Sequence, residues 1–184
     1  MIFYDVGANI GFFTLIAARL VGATGRVLAF DPVPSNIAAL QHNLFPNGYG
    51  HVLPRQLALA DRVGQATLAL AGESVLAHLS DYSSEHETWS TLDVRVSTVD
   101  VEVAQGSPTP DVVKIDVEGA ELAVLEGARQ TIIDARPVII CELHGTGQQV
   151  VDFFANLGAD YELRAVESGG SPENAFQVLA RPTR

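Results

Sequence analysis

The sequence predicts an α/β protein built on an open, doubly wound, mostly parallel sheet, and three observations carry that prediction. Strand-like and helix-like segments alternate five times before a strand–strand ending. The strand-like segments are short, nearly continuous apolar runs, as a sheet covered on both faces requires. A glycine-bearing turn, Asp5-Val6-Gly7-Ala8-Asn9-Ile10-Gly11, joins the first such run to the first helical one.

Ile2 to Val6 reads as the first strand. Phe12 to Val21 has apolar residues at helical spacing, stopped by Gly22 and Gly25. Arg26 to Phe30 is the second strand, closed by Asp31-Pro32, and Pro34-Ser35 opens a helix carrying Ile37, Leu40 and Leu44 that ends near Pro46-Asn47-Gly48. The third strand is expected over His51 to Leu59. From Asp61 to Val99 the pattern becomes antiparallel: Gln65 to Leu70 and Leu92 to Thr98 alternate around a polar stretch, Ser80 to Ser90, that contains the only Trp. Asp111 to Asp116 is the fourth strand, followed by a helix over Gly119 to Asp134. Pro137 to Glu142 is the fifth strand and Gln148 to Leu157 a further helix. Tyr161 to Val166 and Ala175 to Ala180 form a terminal strand pair around Ser168 to Ser171. The expected organisation is one domain, residues 1–184, with a β-hairpin insert at about 61–99.

The chain has 184 residues, 47% of them hydrophobic and 18% charged, which suits a single compact core. A net charge of −11 argues against a nucleic-acid backbone or an anionic membrane as partner, because both select basic patches. No apolar run reaches the ~18 residues of a membrane span. The single cysteine, Cys141, belongs to the apolar run Val138-Ile139-Ile140-Cys141 and cannot form an internal disulfide; together with the lack of a signal-like start this points to the cytoplasm. Because the chain opens directly on a strand, a leading cap is expected to be absent or trimmed.

In a doubly wound sheet ligands bind at the carboxyl ends of the strands, where strand order reverses. Asp5 to Gly11, Asp31, Asp61, Asp116 to Glu118 and Glu142 all fall at or just past such ends. Gly7 and Gly11 permit a tight turn and close approach of a ligand to bare backbone, and the following helix points free N–H groups into the crevice. Asn9 stands where a dinucleotide loop needs its second glycine, so the loop suits a ligand end without phosphate, such as the amino-acid end of S-adenosylmethionine. Asp31, twenty residues after Gly11, can accept hydrogen bonds from ribose hydroxyls; the alternative is that it caps the helix at Ser35 or Asn36. Pro32 would shape the wall beside an adenosine.

Lys114-Ile115-Asp116-Val117-Glu118-Gly119-Ala120-Glu121 places three carboxylates and a lysine in eight residues at a strand end. Carboxylates there can orient a substrate hydroxyl, take its proton or hold a divalent cation. Glu118 and Glu121 could instead simply favour the helix N-terminus. His144, next to Glu142, is the one histidine expected at the rim and could act as a base near neutral pH.

These segments, together with Asp31-Pro32 followed by Asn36, Leu40 and Asn43, and with Leu125-Glu126-Gly127-Ala128, resemble the FkbM-type methyltransferases in residues, order and spacing from residue 3 to about 144. The resemblance implies the class I methyltransferase (Rossmann-like) fold, a seven-stranded sheet with an antiparallel C-terminal strand. It also implies S-adenosylmethionine as methyl donor and, usually, a hydroxyl oxygen as acceptor. In that pattern Asp5, Gly7, Asn9 and Gly11 wrap the amino-acid end of the cofactor, Asp31 holds its ribose, and Leu59 to Asp61 lie along the adenine; Ala8 and Pro32 join them as cofactor-binding candidates. Asp116, Glu118 and His144 are the catalytic candidates. This sequence has Asp31 where the family often has Glu.

The expected function is therefore O-methylation of a small molecule or saccharide, with a divalent cation an open possibility. Gly72 to Ser90, including Tyr82, His86 and Trp89, is the expected acceptor wall. Two other readings stay open: a cofactor-binding domain that serves interaction rather than catalysis, and a nicotinamide-dependent oxidoreductase, against which Asn9 argues.

Overall fold

A computed structural model describes residues 1–71, 76–79, 90–167 and 170–183. The strands are β1 (Ile2–Val6), β2 (Arg26–Asp31), β3 (Val52–Gln56), β4 (Ala58–Leu59), β5 (Gly64–Ala71), β6 (Leu76–Leu79), β7 (Ser90–Ser97), β8 (Val112–Ile115), β9 (Val138–Glu142), β10 (Tyr161–Ala165) and β11 (Gln177–Pro182). The helices are α1 (Phe12–Val21), α2 (Pro34–Leu44), α3 (Val99–Ala104), α4 (Glu121–Glu126), α5 (Arg129–Ala135) and α6 (Gly147–Ala155). Seven strands form the main sheet in the order β10-β11-β9-β8-β1-β2-β3. β11 pairs antiparallel with both neighbours, while the β9-β8-β1-β2-β3 ladder is parallel throughout.

Period-two alternation decides which face each strand residue serves. Tyr4, Val6, Leu28, Phe30, Ile115 and Ile139 point to one face and pack with Val124, Leu125, Ile132, Val150 and Phe153 of α4, α5 and α6. Val27 and Ala29 point to the other face and meet Ala17, Ala18, Ile37 and Leu40 of α1 and α2. The sheet is thus covered from both sides, which is why its strands read as apolar runs. β1 lies between β2 and β8, so the chain leaves it toward opposite edges. The crevice of the fold opens at their carboxyl ends.

The structure departs from the expected elements at three places. The expected third strand is broken at Leu57. Its partner β2 ends at Asp31, opposite Gln56. Beyond that point Leu57 N–H donates to the Asp31 carbonyl at 3.2 Å, and β4 takes a new parallel partner in β7. The helix expected over 119–134 is two helices. A Cβ on Gly127 would lie 1.9 Å from the Ala60 carbonyl oxygen, so the chain presses bare backbone there. The Asp100 carboxylate then accepts from Gln130 N at 3.0 Å and Thr131 N at 2.7 Å, starting α5 afresh. Helix α3 was not expected; its signal is Thr98, whose Oγ1 accepts from Val101 N at 3.0 Å, with Asp100 and Glu102 in the first turn.

A second sheet has the order β4-β7-β5-β6; in it β5 pairs antiparallel with β7, and β6 adds a strand. The wall expected over Gly72 to Ser90, with Tyr82, His86 and Trp89, lies outside the described residues except for the backbone of β6 and for Ser90. Ser168 and Gly169 lie outside them too. No described helix is long and apolar enough to cross a membrane.

Candidate active site

The loop after β1 is held open by backbone geometry. Gly7 has φ +77° and Asn9 φ +50°, both left-handed. The N–H groups of Gly7 and Ala8 both donate to the Phe30 carbonyl at 3.0 Å, which ties the loop to the end of β2. A Cβ on Gly7 would fall 1.7 Å from the Asp116 carbonyl oxygen, so only glycine lets this loop lie against the end of β8. Lys114 fastens the same junction from below. Its Nζ donates to the Gly7 carbonyl at 3.0 Å and lies 3.3 Å from both Asp5 Oδ1 and Asp116 Oδ2.

Asp31 is buried at the end of β2. Its Oδ2 accepts from Asn9 N at 2.9 Å, and its Oδ1 from Val33 N at 2.9 Å and Asn36 Nδ2 at 3.1 Å. Burial raises its pKa, against the lowering effect of these donors. The carboxylate thus ties the loop to Val33 and to the Asn36 side chain of α2, without capping a backbone N–H of that helix. Oδ2, with a single donor, keeps capacity toward the cleft it lines.

That cleft runs between Asp31 and Asp116. Its walls combine the polar Gly7, Asn9 and Asn36 with an apolar slot of Phe30, Val33, Leu57, Leu59, Leu68 and Val117, with Pro32 on the same lining. Ala8 and Asn9 also face an adjoining recess with Phe12, Phe13 and Lys114.

Three expected contact residues sit elsewhere. Asp5 is fully buried beneath the loop, where its Oδ2 accepts from Thr14 Oγ1 at 2.5 Å and its Oδ1 faces Lys114 without hydrogen-bond geometry. It supports the loop rather than lining the cleft. Gly11, at φ +98°, begins α1, and a Cβ there would meet Leu40 Cδ1 at 2.3 Å; its role is packing against α2. Asp61 has a side chain 43% exposed, 3.4 Å from Arg62, and is not on the cleft lining. The break at Leu57 moves the expected adenine wall back to Leu57, Ala58 and Leu59.

At the far end of the cleft the catalytic candidates converge. Asp116, Glu118 and His144 each offer a ligand atom within 4.8 Å of the others. Glu118 sits at φ +52°, on the turn that delivers its carboxylate to the rim. His144 Nδ1 lies 2.8 Å from Glu121 Oε1, and its Nε2 is 3.4 Å from Glu118 Oε2 and 3.5 Å from Glu142 Oε1. Glu121 is fully buried. Its oxygens accept from Gly119 N at 2.8 Å, from His144, and from Thr146 Oγ1 at 2.8 Å. Burial alone would raise the Glu121 pKa, but these donors outweigh it and hold it low. Burial, opposed by His144, raises that of Glu118.

The hydrogen bond to Glu121, opposed by burial and helped by the neighbouring carboxylates, lifts the His144 pKa to about 9. That direction runs against the expectation of a base near neutral pH. Glu121 and Lys114 are the functional residues that the sequence reading left out of the site. Glu121 orients His144, and Lys114 joins the two halves of the cleft.

The methyltransferase FkbM domain family matches residues 5–163 of the chain. The chain belongs to this family. Among relatives, a hexuronic acid methyltransferase, AglP, from Haloferax volcanii is 30% identical over 144 residues, covering 78% of this chain and 56% of that protein. Methyltransferase sdnD from Sordaria araneosa is 32% identical over 152 residues, covering 67% of this chain and 58% of that protein. The chain thus spans little more than half the length of these curated relatives. A crystal structure of methyltransferase FkbM from Methylobacillus flagellatus superposes with a TM-score of 0.65 at 18% identity, covering 97% of this chain and 42% of that one. A precorrin-6y C5,15-methyltransferase from Geobacter metallireducens superposes at 0.57 with 16% identity, covering 98% and 77%. The architecture of this FkbM domain is the class I methyltransferase fold.

The donor set of the cleft matches the methyl donor used by such folds. The cleft joins an apolar slot, the Asp31 carboxylate and the polar backbone of the Gly7–Asn9 loop along one lining.

Proposed function

We propose that this chain is an S-adenosylmethionine-dependent O-methyltransferase domain, residues 1–184 with the insert at about 61–99, acting on a hydroxyl of a small molecule or saccharide. The carrying observation is the continuity of the cleft: one opening runs from the Asp31 carboxylate, past the apolar slot, to Asp116 and Glu118. A relative named for methylating a hexuronic acid supports a saccharide acceptor. The net charge of −11 disfavours a nucleic-acid or membrane partner, and the buried free thiol of Cys141 suits the reducing cytoplasm.

In this reading S-adenosylmethionine supplies an already activated methyl group. Asn9 and the Gly7 loop hold its amino-acid end, Asp31 its ribose, and Leu57 to Leu59 with Val117 its ring, excluding water from the slot. Asp116, with one oxygen held by Lys114, accepts a hydrogen bond from the acceptor hydroxyl and takes its proton as the new bond forms. Positioning supplies most of the acceleration, and proton acceptance a modest factor.

Calorimetric titration with S-adenosylhomocysteine, followed by methyl transfer to a panel of hydroxylated sugars including uronic acids, tests the reading. Binding and transfer are expected. Preference for NAD would support the oxidoreductase reading, and binding with no transfer across the panel would support a non-catalytic interaction domain.

A further inference from the structure

The chemistry at the far end of the cleft goes beyond holding a hydroxyl. His144 is oriented by a carboxylate that cannot itself reach the cleft. Glu121 is fully buried, and both of its oxygens are committed to Gly119 N, His144 Nδ1 and Thr146 Oγ1. With Nδ1 fixed on Glu121, the outward nitrogen is Nε2, the arrangement by which second-layer carboxylates orient metal-binding histidines.

Nε2 makes no hydrogen bond among the described residues, although acidic side chains lie close to it. Its approaches to Glu118 Oε2 at 3.4 Å and Glu142 Oε1 at 3.5 Å are longer than the ordinary N–H···O range. They equal the separation of two ligands that share one ion. Bond lengths of about 2.0–2.2 Å to a first-row dication place neighbouring ligand atoms about 3.0–3.5 Å apart. The Glu142 carboxylate is aimed as well: its Oε2 accepts from Gln177 Nε2 at 3.1 Å, while Oε1 faces His144. Asp116 completes the set, within 4.8 Å of the ligand atoms of Glu118 and His144.

We propose that Asp116, Glu118 and His144, with Glu142 at the margin, form a binding site for a divalent first-row cation. Glu121 positions the imidazole without touching the ion. One imidazole nitrogen with two or three carboxylate oxygens favours Mn²⁺ or Zn²⁺ over Ca²⁺, which prefers oxygen alone. Asp116 and Glu118 line the cleft, and on that side an acceptor with neighbouring oxygens, such as a sugar diol or uronate, would complete the coordination. That last role rests on the methyltransferase reading; uptake of the ion does not.

The test is electron paramagnetic resonance of Mn²⁺ added to the whole chain without cofactor, with Zn²⁺ as competitor. A single class of bound Mn²⁺, showing nitrogen coupling from one imidazole and displaced by Zn²⁺, is expected. His144→Ala should abolish the nitrogen coupling, and Glu118→Gln should weaken binding at least tenfold in a protein that unfolds at an unchanged temperature. Glu121→Gln should weaken it by about 10–100-fold. Failure to retain either ion at millimolar concentration overturns the site, as does binding that neither the His144 nor the Glu118 substitution alters. S-adenosylhomocysteine titrated in parallel separates the two proposals. A chain that binds it but takes up no metal keeps the methyltransferase reading alone, and the reverse keeps the metal site alone.

Discussion

The two ends of the cleft are built by different means. The cofactor end is a backbone structure: positive-φ residues at Gly7 and Asn9, two N–H groups on one Phe30 carbonyl, and a carboxylate that accepts mainly from main-chain donors. The acceptor end is a side-chain structure, in which Glu121, His144 and Thr146 meet across 23 to 25 residues of sequence. A backbone cradle tolerates little substitution and recognises the constant part of a reaction. A side-chain cluster can be re-aimed one residue at a time, and so suits the variable part. Substitutions at the two ends should therefore fail in different ways.

The largest effect is expected at Gly7. Gly7→Ala forces a methyl group to 1.7 Å from the Asp116 carbonyl in a left-handed conformation. The loop must move off β8, and affinity for S-adenosylhomocysteine should fall by more than a hundredfold, about 3 kcal/mol. Calorimetry alongside thermal unfolding reads both the binding and the fold. Near-native affinity would show that the loop is not a cradle.

Next is Asp116→Ala, which touches the junction of the two ends. Turnover should drop by about 10²–10⁴-fold, the range for a group that positions and accepts a proton. S-adenosylhomocysteine affinity should change only a few-fold. A loss of equal size in both quantities would place Asp116 with the cofactor rather than the acceptor.

Asp31→Ala reverses that pattern. It leaves Asn9 N, Val33 N and Asn36 Nδ2 without their acceptor, at a cost of about 1–3 kcal/mol for each buried donor left unsatisfied. Cofactor affinity should fall by tens of fold and stability should fall with it. Retained turnover at saturating cofactor would confirm that the effect stays at this end.

This contrast also explains what the sequence made legible. The seven-stranded sheet and the β1–α1 loop follow from short-range signals: apolar runs, glycine stops, and Asp31-Pro32 at a strand end. Where packing overrode such signals, the reading went astray. Helical spacing runs through Gly127, but that residue is pressed against Ala60, and the helix divides there. An apolar run continues through Leu57, but β2 has no further residues to pair with it, so Asp61 was placed on a wall that it does not reach. At the acceptor end Asp116, Glu118 and His144 were visible as residue types at strand ends. Glu121 was not, because a glutamate in the first turn of a helix ordinarily serves the helix dipole. Only the tertiary pairing with His144 and Thr146 gives it another role.

A smaller effect is expected when the buried support of the acceptor end is trimmed. Thr146→Val removes one donor from Glu121 and leaves the rest of the cluster in place. Stability should fall by about 1–2 kcal/mol in urea unfolding, the cost of a lost bond to a buried charged acceptor. Cofactor affinity should stay unchanged. If affinity fell as well, the two ends would be coupled through more than Lys114.

The smallest effect is expected at Asp61, and it sharpens the border of the cofactor end. The side chain is 43% exposed, beside Arg62, while Leu57, Ala58 and Leu59 carry the wall. Asp61→Asn removes a charge that solvent largely screens. S-adenosylhomocysteine affinity should change by less than about twofold, well under the 1.4 kcal/mol of a tenfold change. A tenfold loss would return the acid to the adenine wall, and would mean that the chain past β4 folds over the ligand when it binds. Leu59→Ala serves as the counterpart: it strips the slot of an apolar side chain that is 3% exposed, and should weaken binding where Asp61→Asn does not.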